Sequence, residues 1–246
     1  MTSEASHPNL KIHHLLWTGG WDSTFRLLQL VVEEKKAVQP YYIITAQKST
    51  DKELDTMNRI RNAIYEQYPD SKKLLRPVHF FREGDIEPNA EITDIYFKLK
   101  NTKPVKRQYE RFARFCVQMG IDKMELCVLK KEIVEDPLAA EKIFCYFSFP
   151  LLNQTKLGLK EISNSKGWSE IMDMTWFCRV PRNGSPCGLC GPCSDAYMAG
   201  FGYRLPLRAR MIASLQAPFR KWWRNNYQKQ SRGVLKYIPQ ILGKKV

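Results

Sequence analysis

Seven consecutive residues concentrate chemistry in this chain: Thr18, Gly19, Gly20, Trp21, Asp22, Ser23 and Thr24. They lie between an apolar run, IHHLLW at 12–17, and FRLLQLVVEEKK, whose apolar residues recur at helical spacing. Two adjacent glycines admit positive φ and a close backbone approach to a ligand. A helix opening here presents amides without intrahelical partners and the positive end of its dipole. The hydroxyls of Thr18, Ser23 and Thr24 add donors. Together these features describe an anion cradle, most often one for phosphate. A carboxylate at Asp22 would repel a bare phosphate, so it points to a Mg²⁺ ion shared with a polyphosphate. The competing reading is an ordinary strand–helix turn with Asp22 or Ser23 as N-cap. A Walker A loop is excluded, because no Gly-Lys-Ser/Thr follows.

The second cluster is built of thiols. Eight residues separate Cys178 from Cys187, two separate Cys187 from Cys190, and two separate Cys190 from Cys193. Four thiolates complete a tetrahedral zinc shell, and closed shells of that kind are structural. Gly188 and Gly191 permit tight knuckle turns. A C-x2-C pair alone would also suit redox chemistry, but two overlapping pairs argue against it. An iron–sulfur cluster and a metal-free cluster are the remaining alternatives. Cys116, Cys127 and Cys145 stand among apolar neighbours and read as buried thiols.

The elements that must position these residues alternate. Residues 12–17, 39–45, 76–81 and 124–129 read as strands. Residues 25–36, 51–67 (Leu54, Met57, Ile60, Ile64) and 105–119 (Tyr109, Phe112, Phe115, Met119) read as helices. Alternation favours an α/β fold with a parallel sheet and helices on both faces. The stretch 82–104, with its polar residues and Pro88 and Pro104, reads as an insertion or a mobile loop. His13 and His14 lead into the glycine turn as a strand pair, one residue on each face.

Composition sets the outer limits. At 246 residues, 43% hydrophobic and 26% charged, the chain is long enough for a real core and has globular composition. No apolar run approaches the ~18 residues of a membrane-spanning helix. The N-terminal stretch lacks a basic start followed by an apolar segment, so a cytoplasmic protein without secretory leader is the expectation. The net charge of +14 is unevenly placed. No acidic residue follows Asp195, whereas 11 Lys and Arg do. Such a tail attracts phosphates, in nucleic acid, an anionic membrane or a nucleotide.

The run at 18–23 resembles the signature of the ATP-pyrophosphatase, or PP-loop, superfamily, Ser-Gly-Gly-x-Asp-Ser, with Thr18 keeping the hydroxyl. Thr175-Trp176-Phe177-Cys178 followed by Cys187-Gly188-x-Cys190-x-x-Cys193 resembles the zinc region of one family within it, the 7-cyano-7-deazaguanine synthases of queuosine biosynthesis. Pro150, Leu151, Thr155, Lys156 and Glu161-Ile162 resemble that family's Pro-Leu…Lys…Glu-Ile run. The resemblance implies a Rossmann-like, adenine nucleotide alpha hydrolase-like sheet that binds ATP, Mg²⁺ and Zn²⁺. It implies cleavage of ATP between its α and β phosphates. A carboxylate is adenylated, ammonia gives an amide, and a second activation gives a nitrile. The implied roles are the loop amides around the leaving diphosphate, Asp22 on Mg²⁺, Ser23 within the cradle, and Lys156 on the α-phosphate or pyrophosphate. Ile44 and Thr45 would lie against adenine. The family's Asp-Tyr-Ser-Gly-Tyr-Pro-Asp pocket segment has no counterpart near 130–144. Its Gln-Arg-His survives only as Gln47-Lys48, and its Arg after the last cysteine is Ala196.

The expected organisation is a nucleotide-binding α/β domain over 1–150, a zinc segment packed on it over 151–206, and a basic aromatic appendage over 207–246. In the appendage Trp222, Trp223, Tyr227 and Tyr237 are interleaved with cations, and Ile238, Ile241 and Leu242 follow. Three readings stay open: single-stranded nucleic acid, an anionic membrane or acidic protein, and a helix docked on the core. The expected activity is an AMP-forming ligase or synthase acting on a small carboxylate, deazapurine-like substrate. The alternatives are a sugar, tRNA-base or protein acceptor, or a non-catalytic nucleotide-binding or nucleic-acid-binding module. A homodimer is an admissible assembly.

Overall fold

The structure is a computed structural model and describes residues 11–101, 105–129, 137–220 and 222. The KKEIVED stretch and the tail beyond Trp222 lie outside the described residues. The readings placed on Trp223, Tyr227, Tyr237, Ile238, Ile241 and Leu242 lie outside them too. The chain divides into two compact units, Met1–Trp176 and Phe177–Val246.

In the first unit, strands β1 (Ile12–Leu16), β2 (Ala37–Ile44), β3 (His79–Arg82), β4 (Met124–Glu125) and β5 (Phe147–Ser148) form one sheet, with order β3-β2-β1-β4-β5. Every pairing is parallel. The helices are α1 (Trp21–Leu28), α2 (Thr50–Gln67), α3 (Ala90–Lys100), α4 (Arg107–Gln118), α5 (Pro137–Lys142), α6 (Lys156–Ser165) and α7 (Ser169–Asp173). A single π-type turn, Gln29–Glu33, extends α1. Period-two alternation along β2 assigns the two faces. Tyr41 and Ile43 enter the apolar core that α3 and α4 close, and the Tyr41 ring meets Phe115 edge-on. Tyr42 points the other way, and its hydroxyl donates to Glu53 of α2 at 2.7 Å.

Three expectations need correction. The described part of the stretch 82–104, residues 82–101, is largely helical. Ile92, Tyr96 and Leu99 bury at helical spacing, and the Asn89 side chain caps α3 by accepting from the Ile92 amide at 3.1 Å. The fourth strand is only two residues long, and the fifth was not foreseen. Strands this short are defined by their neighbours' ladders rather than by their own pattern. Of the three scattered thiols Cys116 is buried and Cys145 half-buried, while Cys127 keeps some residue exposure although its sulfur lies in a desolvated setting. Cys127 sits just after β4, and Cys145 lies in the turn Phe144–Tyr146 that leads into β5. Burial pushes the Cys116 thiol up to about 12, which keeps it protonated and inert.

The histidine pair does alternate. His13 Nδ1 lies 2.8 Å from Glu125, while His14 Nδ1 lies 2.9 Å from the Tyr41 hydroxyl. Burial, then the charges of Arg76 and His13, hold the His14 pKa below its ordinary 6.5. The unfolded chain therefore takes up a proton more readily than the folded one as pH falls through that value. His14 thus contributes stability that is present above about pH 6.5 and is lost below it. Thermal melts from about pH 7.5 to about pH 5.5 should show a declining midpoint. His14→Gln, which cannot titrate there, should flatten that decline. An unchanged slope would show that His14 is not the group responsible.

Candidate nucleotide and metal sites

The sheet order reverses between β1 and β4, because the chain runs outward from β1 to β3 before returning to β4 on the other side. In open α/β sheets the loops leaving such a pair diverge at the carboxyl ends and open a crevice. The glycine turn leaves β1 at this point, and Leu126-Cys127 leaves β4.

Gly19 has φ of +67°, and a Cβ there would stand 3.1 Å from Met57 and 3.3 Å from Thr56 of α2. Both the backbone sign and the packing therefore require glycine. The Gly19 carbonyl accepts the Trp176 amide at 2.9 Å, which ties the end of the unit to the turn. The Trp176 ring in turn lies under the Lys52 ammonium, 5.6 Å from ring centroid to nitrogen. Gly20 is the N-cap of α1, and no side chain caps the helix. The helix opens at Trp21, earlier than its apolar periodicity suggests, so Asp22, Ser23 and Thr24 belong to its first turn.

The seven residues do not all face one way. Thr18 is exposed, and Trp21 is buried. Ser23 is buried, with its hydroxyl donating to the Gly20 carbonyl at 3.4 Å. Thr24 is fully buried, and its hydroxyl accepts from the Trp17 indole at 3.0 Å. Ile44 closes β2 in register with Arg82, and the Thr45 carbonyl accepts from the Thr50 hydroxyl at 2.8 Å.

Lys156, 134 residues away in sequence, reaches the same place. It is the first residue of α6, whose N-cap Thr155 accepts the Gly158 amide at 3.0 Å. Its ammonium donates to both Asp22 oxygens, at 2.6 and 2.5 Å. Both side chains keep some exposure, 37% for Lys156 and 20% for Asp22, so the pair is open to exchange with another ion.

Two neighbours escaped the sequence reading. Glu125 of β4 is buried and accepts from Arg26 of α1 at 2.7 and 3.3 Å, as well as meeting His13. Burial works against the Arg26 charge, but the Glu125 and Glu34 carboxylates outweigh it and raise the pKa. Asp22 and Arg26 lie four apart on α1 and so share a helix face, which makes Glu125 the anchor holding that face to the sheet. Cys127 follows Glu125. Desolvation and the nearby Asp22 and Glu125 carboxylates push its pKa up, while Arg26 and Lys156 act oppositely. No sequence signal marks either residue, since both depend on partners about 100 positions away.

The second unit holds the four cysteines. A helix, α8 (Gly191–Ala196), follows Cys190, and a last helix, α9, covers 207–220. All four sulfurs lie within 4.8 Å of one another. Cys190 stands 3.4 Å from Cys193 and 3.9 Å from Cys178, and Cys187 stands 4.0 Å from Cys193. Four sulfurs about 2.3 Å from a zinc ion form a tetrahedron with edges of roughly 3.8 Å, so the set fits such an ion. Backbone amides already face the sulfurs. Cys187 donates to Cys178, while Leu189 and Cys190 donate to Cys187, each at 3.3 Å. Such bonds orient and stabilise thiolates. The hydrogen bond from Cys193 pushes Cys190 down to about 4, while burial pushes Cys178 up to about 11. Clustered thiols resist ionising together unless a cation is shared among them. Gly188 makes the knuckle possible. Its φ is +75°, and a Cβ there would sit 2.3 Å from the Ala209 carbonyl of α9.

An all-parallel 3-2-1-4-5 sheet with helices on both faces makes the first unit a Rossmann-like, doubly wound α/β fold. No protein-family model matches the chain, and no curated protein matches it. Among solved structures it is similar to a 4-thiouridine synthetase–RNA complex with bound ATP, at a TM-score of 0.39 and 11% identity. The alignment covers 84% of this chain and 53% of that one, so this chain spans little more than half the other's length. Likeness of this degree carries no inference about activity.

Proposed function

We propose that the chain is an ATP-dependent, AMP-forming synthase of the PP-loop kind, with a structural zinc ion. Its substrate is a small carboxylate of the 7-carboxy-7-deazaguanine type. The observation that carries the reading is the Asp22–Lys156 pair at the mouth of the glycine turn. A carboxylate and an ammonium from distant parts of the chain meet beside the N-terminus of α1, where phosphate binds best. Mg²⁺ bound at Asp22 would neutralise the departing diphosphate. In that arrangement the Lys156 ammonium would be free to meet the α-phosphate, and the first-turn amides of α1 would receive the diphosphate oxygens.

This reaction asks the protein for positioning and charge stabilisation rather than acid–base work. A substrate carboxylate oxygen attacks the α-phosphorus and pyrophosphate leaves. Ammonia attacks the resulting acyl adenylate, and AMP leaves to give the amide. Adenylation of the amide oxygen by a second ATP releases pyrophosphate, and loss of AMP together with the two N–H protons gives the nitrile. Cys178, Cys187, Cys190 and Cys193 would hold zinc as a closed, structural shell. Persistence of these thiols fits a reducing, cytoplasmic setting.

The test is incubation of zinc-replete protein with ATP, Mg²⁺, 7-carboxy-7-deazaguanine and ammonium, with AMP measured and the deazapurine followed by mass spectrometry. AMP together with amide or nitrile is the expected result. AMP released without either product would move the acceptor to another class, a sugar, tRNA base or protein. Absence of AMP from protein that binds ATP would favour a binding module.

A further inference from the structure

Helix α9 is built inside out. The fully buried positions of its inner face are small, Ala209, Ala213 and Ala217, with Ala209 packed directly on Gly188, and Arg220 at the same side donates to the Leu189 carbonyl at 2.8 Å. Ile212 is half-buried at its flank, and the other large apolar residues point the opposite way. Leu207, Met211, Leu215 and Phe219, with Trp222 just beyond, are each between 58% and 81% exposed. At 3.6 residues per turn these five positions occupy one stripe, about 120° wide. Phe219 and Trp222 stack with ring centroids 6.0 Å apart. A row of this kind on a protein surface marks contact with an apolar medium or partner.

Charge selects among occupants. Arg208 and Arg210 are exposed on the same helix, Arg210 with one nitrogen donating to the Tyr203 and Leu205 carbonyls at 3.3 Å, and the sequence has no acidic residue after Asp195. Two copies meeting through this face would bring cations against cations, which argues against self-association. Nucleic acid would use the arginines and stack on Phe219 and Trp222, but it offers nothing to Leu207, Met211 and Leu215. An anionic bilayer surface satisfies both features. Acyl chains accept the aliphatic row, headgroups take the arginines, and Trp222 sits at the interfacial level. At about 21 Å, fourteen helical residues lie along the interface and are too short to cross it. We propose that α9 docks the protein on anionic phospholipid membranes through its Leu207–Met211–Leu215–Phe219 stripe. This inference is independent of the ATP reading.

The experiment is flotation of the full-length, zinc-replete protein with phosphatidylcholine vesicles, either pure or containing phosphatidylglycerol. Met211→Glu/Leu215→Glu is compared with Phe97→Glu/Val117→Glu, an equal charge change at exposed apolar positions of the other unit. Thermal melts confirm that both variants fold. Wild-type protein should float with anionic vesicles and not with neutral ones. The stripe variant should bind at least tenfold more weakly, and the control within about twofold. Three results would overturn the proposal. One is failure of wild type to float. Another is equal binding by both variants, which would leave the cations alone responsible. The third is a wild-type dimer that the stripe variant dissociates without any vesicle binding.

Discussion

Asp22→Asn is expected to lower AMP formation by about 10²–10³-fold while leaving the melting temperature within a few degrees of wild type. Asparagine keeps the shape, but its neutral amide oxygen would hold Mg²⁺ much more weakly than a carboxylate. The loss falls on charge stabilisation, the largest single contribution in reactions of this class. Stability should survive because Lys156 is 37% exposed and rehydrates once its partner is neutral. An ion pair this accessible contributes about 1 kcal/mol or less. Lys156→Ala should reduce the rate by a similar order, since on the proposed reading it removes the cation that would meet the α-phosphate. Rates from chromatographic AMP assays, read beside melts of the same samples, separate catalytic from structural loss. Activity within a few-fold of wild type in Asp22→Asn would remove that residue from metal binding.

The second large effect concerns the cysteine shell. Metal analysis should find one zinc ion per chain, and Cys178→Ser should lose it. Metal binding at such shells is itself folding free energy, on the order of 10 kcal/mol in zinc-finger peptides, so loss should be severe for the second unit. Hydrogen exchange gives a local reading. The amides of Cys187, Leu189 and Cys190 donate to the sulfurs and should be slow in the metal-bound protein. All three should become fast after chelation or in Cys178→Ser. Iron in place of zinc would reassign the site to a cluster. Full exchange protection without any metal would make the four thiols a packing feature.

Much of this architecture was legible because it is written locally. The glycine pair, the hydroxyls after it and the apolar spacing of α2 and α4 are contiguous patterns, and C-x2-C-x2-C spacing limits how far the sulfurs can separate. Lys156 was also accessible, through its place in the Pro-Leu…Lys run. What escaped depends on distant partners. Glu125 reads as one more charge in MELCVL until Arg26, 99 residues earlier, is seen to grip it. Cys127 looked like filler for the same reason. Helix α3 carries its period in Ile92, Tyr96 and Leu99, but the polar residues between them and Pro88 and Pro104 on either side give the segment the composition of a loop. The outward stripe of α9 cannot be read from periodicity alone. Its sequence has two apolar faces, and only the Gly188–Ala209 contact shows that the small one is inside.

The most direct test of the central claim is a crystal structure with Mg²⁺ and α,β-methylene-ATP, which cannot be cleaved at the bond in question. The account expects the diphosphate at the N-terminus of α1, Mg²⁺ on an Asp22 oxygen, and the Lys156 ammonium moved from Asp22 toward the α-phosphate. A nucleotide bound elsewhere, or phosphates at the glycine turn with the Asp22–Lys156 pair undisturbed, would contradict it.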